Sequence, residues 1–389
     1  MKPIYLDYNA TTPVDPRVVE AILPHLTESF GNAASVDHFY GHQAQQAVEA
    51  AREQVAALIG GTASEIVFTS GATEADNIAI LGTAARAPGD AEILISATEH
   101  PAVLEAAATL GERVKLIPVS AEGLIDPAEV RRRLTSKTAL VSVMAANNET
   151  GAIQPLTEIG EICAEAEVPF HSDAAQAARH LSLDVEAAQV SLLSLSGHKL
   201  YGPKGVGALY VRKRKRRMKV APLIFGGGQE RGLRPGTANV PGIVGLGLAA
   251  ELARRERRAD AEREGKLKEC LIDGISQAAE VSLNAPVETS LPQTISARIA
   301  GIGARALMHA TREQLAFSSG SACATTKVEP SHVLLAQGLS SEAAGECVRL
   351  SFGRFTTEED IAAACEAVTA ATRRLRQVAA AALSLSSAS

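Results

Sequence analysis

The feature that most constrains the fold is a regular alternation of short apolar runs with longer helical stretches between about residues 60 and 212. Runs such as EIVFTS, AEILISA, TALVSVMAA and VSLLSLSG are apolar along their whole length and end in small or polar residues. Strands of this kind are covered on both faces, and connections through helices make neighbouring strands parallel. We therefore predict an α/β fold, with a mainly parallel sheet flanked by helices and ligands bound beyond the carboxyl ends of the strands.

The length of the chain indicates more than one domain. At 389 residues it exceeds the size at which one hydrophobic core usually serves a whole protein. After about residue 240 a long charged helix leads to a remainder with the pattern of a smaller α+β domain. We expect a large domain over residues 16–255, and a smaller one formed by residues 1–15 together with residues 256–389.

Charge and hydropathy exclude two broad classes of function. The formal net charge of −6 argues against nucleic acid or a membrane surface as the main partner. Apolar runs fall short of the ~20 residues that span a bilayer, and the polar N-terminus does not resemble an export signal. The basic run RKRKRRMK at residues 212–219 is typical of a solvated surface turn, with a patch for an acidic partner as the alternative.

The cysteines do not form a disulfide framework, because the five are widely spaced and odd in number. This usage predicts a reducing compartment, hence the cytoplasm. Four of them lie in stretches typical of cores or helix faces. Cys323 differs, since the surrounding sequence SSGSACATT has no apolar periodicity and indicates an exposed, mobile loop.

The stretch SLSGHKLYGPKGVGALY places Lys199 just after an apolar run, next to Ser196 and His198, which could hold an anion. A lysine at a strand end beside phosphate ligands suits a Schiff base with the aldehyde of pyridoxal phosphate. Taken alone, this signal is weak, because a lysine at a strand end is more often simply a surface residue. The same letters fit the S-x-x-K signature of some serine hydrolases, but the S-D-N and K-T-G motifs that accompany it are absent from the sequence.

Other strand ends carry polar groups suited to different parts of the same cofactor. In FTSGATEADN, the backbone N–H groups around Ala72 and the hydroxyl of Thr73 could bind a phosphate, or simply begin a helix. In FHSDAAQ, Asp173 could hold a pyridine nitrogen protonated, and Gln176 could donate to a ring hydroxyl. A helix cap is the structural alternative for Asp173.

Two further strand ends offer a flat ring and an amide. His100, in TEHPAVL, could stack on a pyridine ring and pass a proton, although a lone histidine is often structural. Asn148, in ANNETG, could donate to a substrate carboxylate or to the ring oxygen. The glycine-rich stretch GGGQERGLRPGTANV fits neither nucleotide-binding pattern, G-x-x-x-x-G-K-[ST] or G-x-G-x-x-G. No metal site is predicted.

Taken together, these stretches resemble the cysteine desulfurases of the NifS/IscS type, which are pyridoxal-phosphate enzymes of fold type I. The resemblance covers residues 5 to about 360 in the family's order. It rests on YLDYNATTPVDP, TSGATEADN, EHPAVL, ANNETG, DAAQ, SGHKLYGPKGVGALY, GGGQERGLRPGT, SSGSACA and VRLSFGRFTTEED. SGHKLYGPKG and SSGSACA are its most specific parts.

The resemblance implies a role for each site residue. Lys199 would bind the cofactor covalently and move the proton at the substrate Cα. Asp173 would pair with the ring nitrogen and Gln176 with the ring hydroxyl, while His100 stacks on the ring and takes part in catalysis. Arg349 would grip the substrate carboxylate, assisted by Asn148. The phosphate would be held by residues at three strand ends: Ala72, Thr73, Ser196 and His198.

The resemblance also implies a sulfur carrier and a dimer. Cys323, in a loop at about residues 318–335, would attack the sulfur of L-cysteine, leaving L-alanine and a persulfide on the enzyme. Thr237 would reach the phosphate in the neighbouring subunit of a homodimer. Two departures from the family pattern stand out. Pro235 replaces a frequent serine, and Ala324-Thr325-Thr326 stands where serine and glycine are frequent.

Several alternatives stay open from the sequence. A selenocysteine lyase, an aminotransferase or another class V lyase would share the fold, whereas a non-catalytic scaffold would not need Lys199 or Cys323. The long form of the cysteine loop favours direct transfer of sulfur to an acceptor or scaffold protein. Iron–sulfur cluster assembly is the first expectation, with tRNA thiolation, thiamine or molybdenum-cofactor synthesis and DNA sulfur modification as alternatives.

Overall fold

The computed structural model describes residues 2–214, 217–277, 279–319 and 330–386, without the side chains of residues 382–386. In chain order its strands are β1 (Ile4–Tyr5), β2 (Ile66–Thr69), β3 (Glu92–Ser96), β4 (Val114–Ile117), β5 (Thr138–Ser142), β6 (Phe170–Asp173), β7 (Leu192–Ser196), β8 (Gly207–Val211), β9 (Val281–Leu283), β10 (Thr294–Ile299), β11 (Leu315–Ala316), β12 (Ser318–Ser319) and β13 (Cys347–Ser351). Its helices are α1 (Pro16–Thr27), α2 (Phe39–Leu58), α3 (Ala72–Ala84), α4 (Pro101–Ala108), α5 (Pro127–Arg133), α6 (Leu156–Glu165), α7 (Val240–Ser276), α8 (Ala304–Thr311), α9 (His332–Ala336), α10 (Ser341–Gly345) and α11 (Glu358–Ser386).

The large sheet has the strand order β2–β8–β7–β6–β5–β3–β4. Its strands are parallel except β8, which runs antiparallel to both of its neighbours, β2 and β7. The carboxyl ends of β2, β3, β5, β6 and β7 therefore lie at one edge, where β8 begins. Helices cover both faces, and the apolar strand residues are buried between them. The predicted α/β fold with a mainly parallel sheet is confirmed.

A second, antiparallel sheet has the order β12–β13–β10–β9. The N-terminal strand β1 pairs in parallel with β11, and Leu6, just beyond it, packs in the core of this second region. The long helix α7 joins the two regions, because its first half packs in the core of the large sheet and Leu267, Leu271 and Ile275 pack in the second core.

A network of buried charges joins the two regions near the turn that follows β7. The Arg354 guanidinium lies 2.8 Å from a carboxylate oxygen of Asp15 and 2.8 Å from one of Asp260. It also packs over the ring of Tyr201, two residues beyond Lys199, at 4.8 Å from the ring centre. Paired in this way, the buried charges avoid the large cost of an isolated ion and fix how the small region meets the large sheet. No described helix combines the length and apolarity needed to cross a membrane.

Candidate active site

A cavity of about 530 Å³ opens beyond the carboxyl ends of the large sheet, where it meets the second region. Ten of the predicted site residues line it: Ala72, Thr73, His100, Asn148, Asp173, Gln176, Ser196, His198, Lys199 and Arg349. Thr237 is exposed and does not line the cavity of its own chain. Cys323 lies outside the described residues.

Lys199 is presented to the cavity by a tight turn that follows β7. Its ammonium group donates to the backbone carbonyl of Asn9 and, at 3.0 Å, to that of Ala10. The side-chain amide of Gln176 also donates to the Asn9 carbonyl, at 2.8 Å. The segment of residues 9–11, to which we assigned no role from the sequence, therefore forms one wall of the cavity.

One end of the cavity has the groups that an anion needs. The first turn of α3, with Ala72 and Thr73, points its backbone N–H groups into the cavity, and no side chain caps them. The backbones of two strand ends approach closely here, since a Cβ atom on Gly207 would lie 2.6 Å from the Cα of Gly71. Burial and the neighbouring Lys199 lower the pKa of His198 to about 4, so its ring is neutral at pH 7. A phosphate fits this cradle.

The opposite wall carries the carboxyl group of Asp173, at the end of β6. One of its oxygens accepts the N–H of Ala175 at 2.8 Å. Burial raises the pKa of Asp173, while His100 and Lys199 act in the opposite direction. A protonated pyridine nitrogen beside this carboxyl group would supply the cation that stabilises its charged form.

His100 caps the N-terminus of α4 as well as lining the cavity. Its Nδ1 accepts the N–H of Ala102 at 3.1 Å, which leaves the ring proton on Nε2 when the ring is neutral. Burial lowers the pKa of His100, which favours that neutral ring. His100 therefore has the structural role of a helix cap, and its ring also lines the cavity.

Two buried carboxyl groups behind Asp173 were not singled out by the sequence analysis. Asp76, on α3, lies 3.6 Å from Nε2 of His171, and Glu99 accepts the N–H of Met144 at 2.6 Å. Burial and then the charge of Asp173 raise the pKa of both carboxyl groups well above its ordinary value. Neither group lines the cavity, so Asp173 is the acidic residue of this wall that faces it.

Arg349, on β13 of the second region, lines another part of the cavity. Its guanidinium donates to Asp7 at 2.7 Å, to the backbone carbonyl of Asn148 at 3.0 Å and to the hydroxyl of Ser318 at 3.3 Å. The buried Nε–H has no partner among the described residues. A ligand carboxylate could accept from this donor, which is the type of pairing that arginine makes best.

The residues on both sides of the segment that contains Cys323 contact residues that line the cavity or stand next to them in the chain. On one side, Ser318 accepts from Arg349 as above. On the other, the Ser331 hydroxyl donates to the carboxyl group of Glu149, and Nε2 of His332 lies 3.0 Å from the backbone carbonyl of Glu99. Burial raises the pKa of Glu149 to about 7.

The donor set fits a phosphorylated pyridine aldehyde. It has the amine of Lys199 at a strand end, the carboxyl group of Asp173 near the ring of His100, an anion cradle and a separate arginine. Among the described residues, no cluster of three or more histidine, cysteine or acidic side chains could hold a metal ion. The sequence offered a signal for Asp7 and Asn9, because YLDYNATTPVDP is one of the resembling motifs, but it assigned them no role.

Comparison with known proteins places the chain in a family. Residues 4–363 match the class V aminotransferases. Cysteine desulfurase IscS of Anaeromyxobacter dehalogenans is 49% identical over 97% of this chain and 94% of its own length. A solved NifS-like protein superposes with a TM-score of 0.88 at 36% identity, covering 97% of this chain and 100% of its own.

A third relative carries substrate information of its own. The solved structure described as SspA in complex with cysteine superposes with a TM-score of 0.80 at 37% identity, over 92% of this chain and 100% of its own. Relatives at this level of identity favour a desulfurase over a selenocysteine lyase or an aminotransferase. The chain belongs to the cysteine desulfurases of the class V aminotransferase family, enzymes of fold type I that use pyridoxal phosphate.

Proposed function

We propose that this desulfurase takes L-cysteine, releases L-alanine and carries the sulfur as a persulfide on Cys323. The observation that carries the proposal is that Lys199 and Arg349 line one cavity. An amino acid held at its carboxylate by Arg349 has its amino group and Cα within the same cavity as the lysine. The cavity volume of about 530 Å³ is in the range of small-molecule sites.

Pyridoxal phosphate, when bound, withdraws electrons from the substrate Cα and so makes its proton acidic. We assign its phosphate to the cradle of Ala72, Thr73, Ser196 and His198. Its ring would stack on His100, with Asp173 at the ring nitrogen and Gln176 at the ring hydroxyl. Asp173 lines the cavity whereas Asp76 and Glu99 do not, so its carboxylate is the group that would stabilise a pyridinium charge.

Lys199 and His100 are the two cavity residues to which we assign proton transfer. In our proposal, Lys199 takes the proton from the substrate Cα and returns it to carbon later in the cycle. The neutral ring of His100 offers its Nε2–H to groups that become negative.

Arg349 and Asn148 would hold the substrate carboxylate. The Nε–H of Arg349 provides a donor that no described residue occupies, and Asp7 fixes the orientation of the guanidinium from its other side. The fixed guanidinium group would orient the substrate within the cavity. One flank of the segment that contains Cys323 contacts Arg349 of the cavity lining, and the other contacts Glu149, next to the lining residue Asn148 in the chain.

The sulfur step balances without an external oxidant. The Cys323 thiolate attacks the substrate sulfur, an S–S bond forms, and the Cβ–S bond breaks with its electron pair left on carbon. The carbon takes the proton of the substrate thiol and becomes the methyl group of alanine. Cys323 is left as a persulfide anion. An acceptor thiolate can attack the outer sulfur of this persulfide and take it up, which returns Cys323 to the thiolate.

We also propose that the enzyme is a homodimer in which Thr237 completes the partner subunit's phosphate site. Thr237 is exposed and lies away from the cavity of its own chain. Exposed aromatic and apolar side chains on α1, α2 and nearby loops support an interface: Leu23, Leu26, Phe30, Phe39, Tyr40 and Phe225. The rings of Phe30 and Tyr40 stack at 5.5 Å between centres.

The domain division, the compartment and the sulfur acceptor belong to the same proposal. The first half of α7 packs in one hydrophobic core and its second half in another. These separate cores support a large domain over 16–255 and a small one over 1–15 with 256–389. Free thiols at Cys163, Cys270, Cys347 and Cys365 suit a reducing cytoplasm. Cys270 is exposed on α7 rather than packed in a core. The acceptor would be an iron–sulfur scaffold or another sulfur-carrier protein.

A single-turnover labelling experiment tests the sulfur carrier. The enzyme is mixed with L-cysteine in the absence of reductant, and its thiols and persulfides are then alkylated. The protein is digested, and the masses of the peptides are measured by mass spectrometry. We expect one extra sulfur atom on the peptide that contains Cys323 and none on the peptides of the other four cysteines. Extra sulfur on another cysteine, or on none, would contradict the assignment.

A further inference from the structure

Two consecutive residues of the glycine-rich segment, residues 226–238, have left-handed backbone conformations although neither is glycine. Glu230 has φ 44° and ψ 40°, and Arg231 has φ 57° and ψ 31°. Non-glycine residues adopt this region at a cost, so a pair of them persists only where the surroundings fix them. The segment ends at Thr237 and Ala238, and Thr237 is exposed.

Glu230 is fixed by a buried ion pair with Arg52 of α2. The two guanidinium nitrogens of Arg52 donate to the two carboxylate oxygens of Glu230 at 2.7 and 2.8 Å. One of these oxygens also accepts the backbone N–H of Phe68, at 3.0 Å. Only 6% of the Arg52 side chain and 11% of that of Glu230 are exposed. A buried bidentate ion pair of this kind has one geometry, because rotating either the guanidinium or the carboxylate breaks both hydrogen bonds.

Two further contacts tie the segment to the same part of the molecule. Arg231 donates to the backbone carbonyl of Ile66 at 2.6 Å, and Arg234 donates to Glu74 of α3 at 2.9 Å. The acceptors lie on β2 and in the first turn of α3, the elements that form the phosphate cradle. The segment is therefore held on the rigid edge of the large sheet, while Thr237 extends outward from it.

We infer that Glu230, through Arg52, is a positioning residue that fixes Thr237 for the cofactor phosphate of the partner subunit. The inference rests on the proposed homodimer. No contact between Glu230 and the cavity of its own chain is needed, since the effect is exerted on the other subunit. Glu230 would set the affinity of that site for pyridoxal phosphate.

The first variant is Glu230→Gln, which keeps the side-chain length and an oxygen for the Phe68 N–H but removes the charge and one of the two bonds to Arg52. We expect the dissociation constant of pyridoxal phosphate to rise about tenfold, as for one lost hydrogen bond to a charged group. Titration of apo-enzyme with the cofactor, followed by the visible absorbance of the lysine-bound form, measures it.

Glu49→Gln is the matched control. Glu49 also pairs with Arg52, at 3.1 Å, but 54% of its side chain is exposed, and among the described residues its hydrogen bonds go to Arg52 rather than to the glycine-rich segment. We expect its cofactor affinity to equal that of the wild type. An equal loss of cofactor affinity in both variants would mean that the affinity depends on the charges around Arg52 and not on the glycine-rich segment. That result would overturn the inference.

Mixed dimers separate a positioning effect on the partner from a general loss of stability. When one chain carries Glu230→Gln and the other Lys199→Ala, the remaining lysine site receives the intact segment, so its affinity should be that of the wild type. When both substitutions are on one chain, the remaining site belongs to the wild-type chain but receives the altered segment. Its affinity should fall about tenfold.

The reverse pattern, or equal affinities in the two mixed dimers, would overturn the inference. Thr237→Val in the same two arrangements tests the shared site separately. If Thr237→Val weakens binding only across the dimer while Glu230→Gln does not, the shared site stands and the role of Glu230 fails. If Thr237→Val has no effect across the dimer, the shared site fails as well.

Discussion

The ionisation of Glu149 gives a stability prediction with a defined sign and size. Burial raises the pKa of Glu149 from its ordinary value of 4.5 to about 7, against the opposing effects of Ser331 and Arg349. The folded chain therefore holds this proton more tightly than the unfolded chain does. The stability from the protonated form is fully present below pH 4.5 and is lost as the pH rises through about 7.

The size of this loss follows from the two pKa values. Ionising Glu149 in the folded protein costs about 3 kcal/mol at pH 8, of which about 2.5 kcal/mol appears between pH 5 and pH 8. Glu149→Gln removes that cost, because the amide does not ionise and its oxygen can still accept from Ser331. For a chain of 389 residues, this corresponds to about 3 °C in the melting temperature.

The assay compares the melting temperatures of wild type and Glu149→Gln at pH 5 and pH 8, with cofactor bound. We expect the variant to gain about 3 °C relative to wild type on going from pH 5 to pH 8. The difference between the two proteins cancels the other titrating groups. Glu161→Gln, at an exposed position on α6, is the control and should show no such gain. A constant difference between wild type and Glu149→Gln would refute the reasoning.

Three further predictions concern the site. Lys199→Ala should abolish the visible absorbance of lysine-bound cofactor, and a retained band would mean that another amine binds it. Arg349→Gln should raise the KM for L-cysteine and lower kcat/KM by roughly ten- to a hundredfold, the cost of a charge-assisted hydrogen bond. Arg305→Gln, at an exposed position on α8, is its control, and an unchanged KM in Arg349→Gln would exclude that substrate contact. Thr237→Val should weaken cofactor binding more than dimer formation, as measured by titration and sedimentation, and equal cofactor affinity would argue against the shared site.

The large sheet and most of the cavity could be predicted from the sequence because both follow from local patterns. Each buried strand is one apolar run, and the polar residues that follow it are brought to one edge by the parallel arrangement. Asp173, Ser196 and Lys199 were found in this way. Their positions depend on the ends of β6 and β7, which the sequence marks clearly.

The contacts that could not be predicted join residues far apart in the chain. Asp7 pairs with Arg349 across 342 positions, and Asn9 reaches Thr294 across 285. No local pattern encodes such a pairing. The burial of Asp76 and Glu99 was missed for a related reason, since acidic residues at a helix start and a strand end are usually solvated. Tertiary packing removes them from water, since Asp76 lies beside His171 of β6 and Glu99 lies against the backbone of Met144.

The most direct test of the central proposal is to measure alanine and sulfide together from L-cysteine, with a thiol reductant present, in wild type and Cys323→Ser. Wild type should release the two products in equal amounts. Cys323→Ser should keep the visible absorbance of bound cofactor, which shows an intact site, and release neither product. Sulfide at the wild-type rate from Cys323→Ser would contradict the assignment of Cys323 as the sulfur acceptor.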